Sequence, residues 1–307
     1  MYLFLKRHFT TILLLCALAT GLQSCFTGIE STPRIDYKEN RRGGSRLSAE
    51  QLLAAEFTPE PVSRWRQGKL FYVASDRVSL VLQGSRKLSR GDILAYAGQS
   101  VRQSVTGSTA TDILFVAADE PADTLVWRAP SADTPALPFM VDLDIVEHMR
   151  NLLVGNRYYV TTALWYSADG ELVNGRKYVP VRITDVNPYS AEFPAIVTFE
   201  AETAGGGAET GRVMMSENRN NATRTFDSMF STENPRRNFP QTTDQNWQAI
   251  QNSRTREGMT RAEVKAAIGS PAGIERGHNQ SAAFERWNYS DGVTLMFVDG
   301  ILSSEVM

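Results

Sequence analysis

The sequence predicts an α+β protein in which a β-rich body precedes a small domain of two helices and three strands. Between residues 65 and 215, short apolar runs alternate with turn residues about every ten positions, which is typical of barrel-like or sandwich-like β-structure. After residue 240, two helix-capping patterns precede alternating apolar segments that are separated by Asp-Gly turns. With 42% hydrophobic and 21% charged residues, the composition is that of a globular chain.

The first 24 residues have the layout of a secretion signal. Two basic residues precede an apolar run that is too short to cross a bilayer, which needs ~20 apolar residues. The run ends in a motif that resembles the lipobox of bacterial lipoproteins: Leu22, Gln23, Ser24 and Cys25. The resemblance implies cleavage of the signal 1–24 and acylation of Cys25. An ordinary signal peptide followed by a free thiol is the alternative.

The lipobox makes the membrane an expected partner, because covalent acyl chains on Cys25 anchor the protein to a bilayer. Residues 25–46 are polar and lack apolar periodicity, so they are predicted to form a flexible tether. The second cysteine, Cys16, leaves with the signal. Neither a disulfide nor a cysteine metal site is therefore expected in the mature chain.

The β-rich body is predicted to span 47–216, either as one unit or as the two segments 60–130 and 138–216. Residues 68–73 and 175–181 share a glycine, then a basic residue, then aromatic and aliphatic residues in alternation. An internal duplication and a chance similarity of two strand starts both explain this likeness.

Two helices are predicted within the body. Ser48 and Gln51 have the spacing of a capping box that opens the first helix, and Asp144 with Glu147 resembles a capping pair for the second. Beyond the body, 217–240 is rich in Asn, Arg and Pro, and it is predicted to be a linker between domains.

The C-terminal domain is predicted over 241–307. Thr242 with Gln245 suggests a capping box for its first helix, and Thr260 with Glu263 suggests one for its second. Three strands follow. Two helices are enough to cover the apolar face of such a meander, so the order predicts an α-α-β-β-β unit.

Several short motifs of this domain keep a particular order and spacing. They comprise Trp247, Ile250, Gly258, Met259, Thr260, Glu263, Val264, Gly269, Pro271, Glu285, Trp287, Tyr289, Phe297, Asp299 and Gly300. Together they resemble the SmpA/OmlA (BamE-like) domain of small lipoproteins in the outer-membrane β-barrel assembly machinery. In that family the domain usually follows the lipid directly, whereas here a long β-rich body intervenes.

The resemblance implies architecture more than activity. The positions that it identifies as fold-defining are caps, turns and core residues: Trp247, Gly258, Met259, Thr260, Glu263, Gly269, Pro271, Trp287, Tyr289, Gly292 and Phe297. It also implies residence at the outer membrane and an envelope protein as partner. The segment after Cys25 carries one acid and no acidic run, which favours the periplasmic face.

The sequence contains few residues that could act in catalysis or bind a metal ion. Outside the signal the histidines are His148 and His278, and the latter lies in a predicted polar loop. One cluster suggests metal binding: Asp142, Asp144, Glu147 and His148. Helix capping explains two of its carboxylates, so neither an enzyme, a metal nor a cofactor is expected.

All five tryptophans lie inside apolar patterns: Trp65, Trp127, Trp165, Trp247 and Trp287. Core packing is the expected role, and a ligand-binding aromatic groove is the alternative. Removal of the signal takes two of the 32 basic residues and none of the 34 acidic ones, which leaves a net charge of −4. This acidic balance disfavours nucleic-acid binding.

The sequence therefore predicts a non-enzymatic, lipid-anchored protein that acts as a scaffold or assembly module at the outer membrane. The alternative is a lipoprotein that captures a glycan, a peptide or a lipid through its β-rich body.

Overall fold

A computed structural model gives the fold of residues 47–103, 109–129, 137–203, 206–220, 222–278 and 282–306. The lipobox, Cys25 and the tether lie outside these described residues. The fold is α+β and rich in strand, as predicted, and its strands form three antiparallel sheets. The helices are α1 (Ala49–Glu56), α2 (Leu143–Leu153), α3 (Phe226–Met229), α4 (Asp244–Gln251) and α5 (Arg261–Ile268).

The first sheet has six strands in the order β2-β5-β4-β3-β1-β6. The strands are β1 (Leu70–Val73), β2 (Leu82–Gln83), β3 (Ile93–Gln103), β4 (Thr109–Ala117), β5 (Thr124–Ala129) and β6 (Met140–Asp142). Because β6 pairs with β1, the first sheet ends at residue 142. The predicted division between 130 and 138 is therefore wrong, since it would separate this last strand from its sheet.

Among the described residues, loops and short 3₁₀ turns cover the apolar face of the first sheet, and no α-helix contributes to its core. Val62 and Val78 come from the 3₁₀ turns Val62–Arg64 and Asp76–Leu80, and both are buried. They pack in one core with Phe71 and Phe115, whose rings lie edge to face at 5.5 Å.

The second sheet has seven strands in the order β13-β7-β10-β11-β12-β8-β9. The strands are β7 (Arg157–Val160), β8 (Leu164–Tyr166), β9 (Leu172–Asn174), β10 (Val179–Pro188), β11 (Ala195–Glu202), β12 (Ala208–Met215) and β13 (Phe230–Ser231). Helix α2 contributes Ile145, Met149 and Leu153 to the core of this sheet, at the spacing of one helical face. The predicted turn at Asp169-Gly170 joins β8 to β9, and Gly170 has φ 82°.

The predicted capping box at the start of the body is present. Ser48 Oγ accepts from the backbone N–H of Gln51, and the Gln51 side chain accepts from the Ser48 N–H. The prediction for α2 was wrong by two residues, because Asp142 is the N-cap and accepts from the N–H of Asp144. In α4 the N-cap is Thr243, one residue after the predicted position.

Trp165 is held tightly in the second sheet. It is fully buried and meets Phe199 edge to face at 5.0 Å, and its indole N–H donates to the carbonyl of Thr162 at 2.9 Å. Two glycines lie against its ring. A Cβ at Gly175 would be 2.1 Å from Trp165 Cδ2, and one at Gly211 would be 2.8 Å from Cε3. Only residues without a side chain fit at these two positions.

The segment 217–240 is not the predicted linker. Phe226, Met229 and Phe230 are buried in the core of the second sheet, and β13 pairs with β7. The segment is also fastened to α1. Glu50 Oε1 accepts from the backbone N–H of Thr232 at 2.7 Å and from its hydroxyl at 2.6 Å. The buried side chains, the strand pairing and these hydrogen bonds make the segment part of the body.

The third sheet lies at the C-terminal end of the described chain and has four strands in the order β14-β15-β16-β17. They are β14 (Gly273–His278), β15 (Ala283–Asn288), β16 (Thr294–Val298) and β17 (Ile301–Val306). The prediction of three strands was therefore wrong by one. His278 ends β14, in place of the predicted polar loop.

Helices α4 and α5 cover one face of the third sheet. Trp247 and Val264 pack there against Trp287, Leu295 and Phe297. Both predicted Asp-Gly turns are present, and Gly292, Asp299 and Gly300 have positive φ angles. On the side of the second sheet, Tyr178 stacks on Trp247 with 5.8 Å between ring centroids, so the body contributes Tyr178 to this core.

Candidate functional site

The outer face of the third sheet, opposite the helices, includes two adjacent rows of side chains that differ in chemistry. Directly opposed residues in antiparallel strands share a face, so the pairing register defines each row. The first row, here called the apolar row, consists of Gly277, Phe284, Val298 and Ile301. The second row, here called the ionic row, consists of Glu275, Arg286, Met296 and Ser304.

The apolar row remains open to solvent. Phe284, Val298 and Ile301 are 39%, 40% and 42% exposed, although they lie on adjacent strands with nothing between them. Single exposed apolar residues are ordinary, whereas a contiguous set marks a contact surface. This contiguity distinguishes the row from isolated exposed residues such as Val101.

A groove of about 310 Å³ runs between the two rows. The Phe284 ring lies over Gly277 and forms one wall, since a Cβ at Gly277 would be 2.2 Å from Phe284 Cζ. On the other side, Arg286 pairs with Glu275, and Glu275 also accepts from Asn288 Nδ2 at 3.0 Å. The groove thus has an apolar wall on one side and a paired acid and base on the other.

A second ionic network flanks the sheet on the helix side. Glu285 accepts from Trp287 Nε1 at 2.9 Å, from Arg261 Nε at 3.0 Å and from Arg276 Nε at 3.1 Å. Burial alone would raise the pKa of Glu285, but the tryptophan and the arginines outweigh it and lower the pKa. Glu285 therefore stays charged and pairs with both arginines, of which Arg276 also lines the groove.

The residues that the sequence marked as fold-defining lie away from the outer face, in the core, the caps and the turns. Thr260 and Glu263 form a complete capping box, and Gly269 caps the end of α5 with φ 90°. The hydroxyl of Tyr289 donates to the carbonyl of Gly269 at 3.0 Å. Trp247, Met259, Trp287 and Phe297 are buried, and Gly258 and Gly292 have positive φ. Pro271 lies two residues before the start of β14.

A buried charge cluster lies where the first sheet meets the second. Lys69 is 8% exposed, and its Nζ lies 2.9 Å from Asp142 Oδ1 and 2.5 Å from Asp144 Oδ2. Burial would lower the pKa of Lys69, but the two carboxylates raise it above its ordinary value. Across the junction, Glu217 is 5% exposed, and its Oε1 lies 2.8 Å from Arg219 Nε in an ion pair.

Residues of the acidic cluster considered from the sequence form separate ion pairs in the structure. Lys69 occupies the space between Asp142 and Asp144, while Glu147 is exposed and His148 lies near Glu56. In the described ranges, no group of three or more His, Cys, Asp or Glu side chains is placed to hold a metal ion. Sequence reasoning missed Lys69, and it missed Glu217 because this residue fell in the supposed linker.

The tryptophans are core residues, as predicted. The exposed fractions are 8% for Trp65, 4% for Trp127, 0% for Trp165, 6% for Trp247 and 1% for Trp287. Trp65 also lines a crevice between the first two sheets, but this cavity measures only about 20 Å³. That volume holds about one water molecule, so the crevice is too small for a glycan or a peptide.

Comparison of the chain with known protein families, with curated proteins and with solved structures gives no match.

Proposed function

We propose that this protein is a non-enzymatic, lipid-tethered interaction module that binds an envelope protein through the outer face of its third sheet. The observation that carries the proposal is the apolar row of Phe284, Val298 and Ile301, which crosses three adjacent strands and stays about 40% exposed. The helices already cover the other face of the sheet, so a partner has this one face available.

The composition of the face fits protein recognition. Interfaces commonly combine an apolar, aromatic centre with a rim of polar groups whose hydrogen bonds are satisfied. Here Phe284 and Met296 lie at the centre, and the Glu275–Arg286 pair lies beside them. A BamE-like identity for this domain belongs to the proposal, supported by the helix-helix-strand order and the capping box at Thr260.

The lipid anchor is the second part of the proposal. None of the helices in the described part of the chain is long and apolar enough to cross a membrane. In this proposal, acylation of Cys25 attaches the protein to the periplasmic face of the outer membrane, since Leu22, Gln23, Ser24 and Cys25 have the pattern of a lipobox.

We predict that replacing Cys25 with alanine moves the protein from the membrane fraction to the soluble fraction. Without the thiol, no acyl chain can be attached, and the interfacial binding that such chains provide is lost. The measurement is fractionation of cells that express the wild type or Cys25→Ala, followed by immunoblotting. Full retention of the variant in the membrane would refute lipid attachment at this residue.

We predict that the double substitution Phe284→Thr and Val298→Thr reduces recovery of the cross-linked partner at least about tenfold, since a few central residues carry most binding energy. Threonine preserves strand propensity while removing apolar surface. The measurement is mild cross-linking in intact cells, affinity purification of the tagged protein and quantitative mass spectrometry.

The matched control is Val101→Thr with Val173→Thr. These valines are 69% and 39% exposed on strands of the first and second sheets, so exposed apolar side chains are likewise replaced by threonine, but outside the outer face. The control should recover the partner as the wild type does. Equal recovery with both double variants would show that the third sheet does not bind the partner.

A further inference from the structure

Two carboxylates from different sheets share the crevice at the junction of the first and second sheets. Asp142 ends β6 of the first sheet, and Glu217 follows β12 of the second. Both line the cavity of about 20 Å³, which has room for about one water molecule. Glu217 is 5% exposed, and the Asp142 side chain is 12% exposed. Water therefore has little access to either carboxylate.

The other walls of the crevice are mainly apolar. They are formed by Trp65, Phe71, Leu137, Met140, Val141, Ala191 and Pro194. The connection between β10 and β11 thus contributes Ala191 and Pro194, neither of which carries charge. Two charged groups act on Glu217: Arg219 attracts it from its own segment, and Asp142 repels it from β6.

The cations in this cluster are divided between the carboxylates. Lys69 pairs with Asp142 and Asp144, and Arg219 pairs with Glu217. In a crevice with few water molecules, the repulsion between an ionised Glu217 and Asp142 is weakly screened. A proton on Glu217 removes this repulsion and leaves the apolar walls in contact.

We propose that Glu217 is a proton-controlled latch between the first two sheets. The protonated side chain keeps the crevice closed, and the ionised side chain draws in water and loosens the junction. The proposal does not depend on the function proposed above for the third sheet.

The pH range of the latch follows from the surroundings of the carboxyl group. Burial raises the pKa of Glu217 from its ordinary 4.5 to about 7, although Arg219 opposes the rise. A carboxyl whose pKa is raised in the folded state stabilises that state fully below pH 4.5. This contribution is lost as the pH rises through about 7. The junction should therefore loosen between about pH 5 and pH 8.

Hydrogen exchange of the full chain, measured by mass spectrometry and corrected for intrinsic rates, tests the latch. Between pH 6 and pH 8, corrected exchange in 138–146, 188–196 and 214–220 should rise about tenfold in the wild type, since pH 6 lies one unit below the pKa of about 7 above which the contribution no longer changes. Glu217→Gln should abolish this rise. Glu200→Gln changes an exposed residue of the second sheet and should behave as the wild type.

A second variant keeps the test decisive if Glu217→Gln does not fold. Arg219→Met removes the cation that favours the ionised form, so the midpoint of the transition should move upward by about one pH unit. Junction exchange that does not depend on pH in the wild type would overturn the proposal. So would an unchanged profile in Glu217→Gln or an unchanged midpoint in Arg219→Met.

Discussion

Replacing Gly175 with alanine should lower the free energy of unfolding by about 3 kcal/mol, the upper range for overpacking a core. The new Cβ would lie 2.1 Å from Trp165 Cδ2 and 2.3 Å from Cγ. Trp165 has no room to withdraw, since it is fully buried, abuts Phe199 and is held by its hydrogen bond to Thr162. Urea unfolding monitored by circular dichroism gives the value.

Gly273→Ala is the matched control for this substitution. A Cβ at Gly273 meets no atom within 4 Å, and Gly273 does not have a positive φ. Both substitutions reduce the entropy of the unfolded chain equally, so their difference reports native packing alone. Gly273→Ala should lie within about 1 kcal/mol of the wild type. Equal stability of the two variants would show that Trp165 is not confined.

Replacing Lys69 with methionine should lower the free energy of unfolding by about 3–5 kcal/mol, the usual effect of removing one partner from a buried ion pair. The Asp142 carboxylate would then be nearly buried without its cation. Methionine fills a similar volume, so the loss comes from charge more than from packing. Thermal and urea unfolding at pH 8 measure it.

Protonation of Asp142 relieves this cost at low pH. Burial already raises the pKa of Asp142 above its ordinary 3.8, even though Lys69 opposes the rise. Without Lys69 the pKa should rise further, so the variant loses more stability at pH 8 than at pH 5 relative to the wild type.

Adding Asp142→Asn to Lys69→Met should restore most of the stability, because asparagine is uncharged and still caps α2. Arg157→Met removes one partner of an exposed pair, with side chains 65% and 63% exposed, and should change stability by less than about 0.5 kcal/mol. A double variant no more stable than Lys69→Met would refute the unpaired charge as the cause.

The parts of the fold that could be predicted from sequence are those determined by local contacts. A capping box needs only residues three positions apart, so Thr260 with Glu263 and Ser48 with Gln51 were predicted correctly. Asp-Gly turns and the alternation around Trp287 and Leu295 are equally local, and they identified the covered face of the third sheet. The outer face follows from the same alternation.

The elements that were not predicted from the sequence lack such clear local patterns. Strand β14 reads Gly-Ile-Glu-Arg-Gly-His, in which Ile274 is the only large apolar residue, so no alternation marks it. It forms because β15 offers it a pairing partner. Similarly, Phe226, Met229 and Phe230 have the spacing of one short amphipathic turn, but the polar stretch around them predicts a linker. Their burial is determined by the distant core of the second sheet.

The buried charge cluster depends on contacts between residues far apart in the chain. Lys69 and Asp144 are 75 positions apart, and only the pairing of β1 with β6 brings them together. Glu217 reaches the same junction from the second sheet. A single sequence gives no register between distant strands, so neither the ion pairs nor the raised pKa of Glu217 could be inferred from it.

The bonds of Glu50 to Thr232 also determine how the molecule carries mechanical load. A pull applied to the chain before Leu47 enters the body through α1. There it meets hydrogen bonds to Thr232, 182 positions away, and the buried ring of Phe57 against Phe226. These contacts transmit force to the second sheet. Under tension, α1 and β13 should yield first, while the outer face of the third sheet keeps its shape.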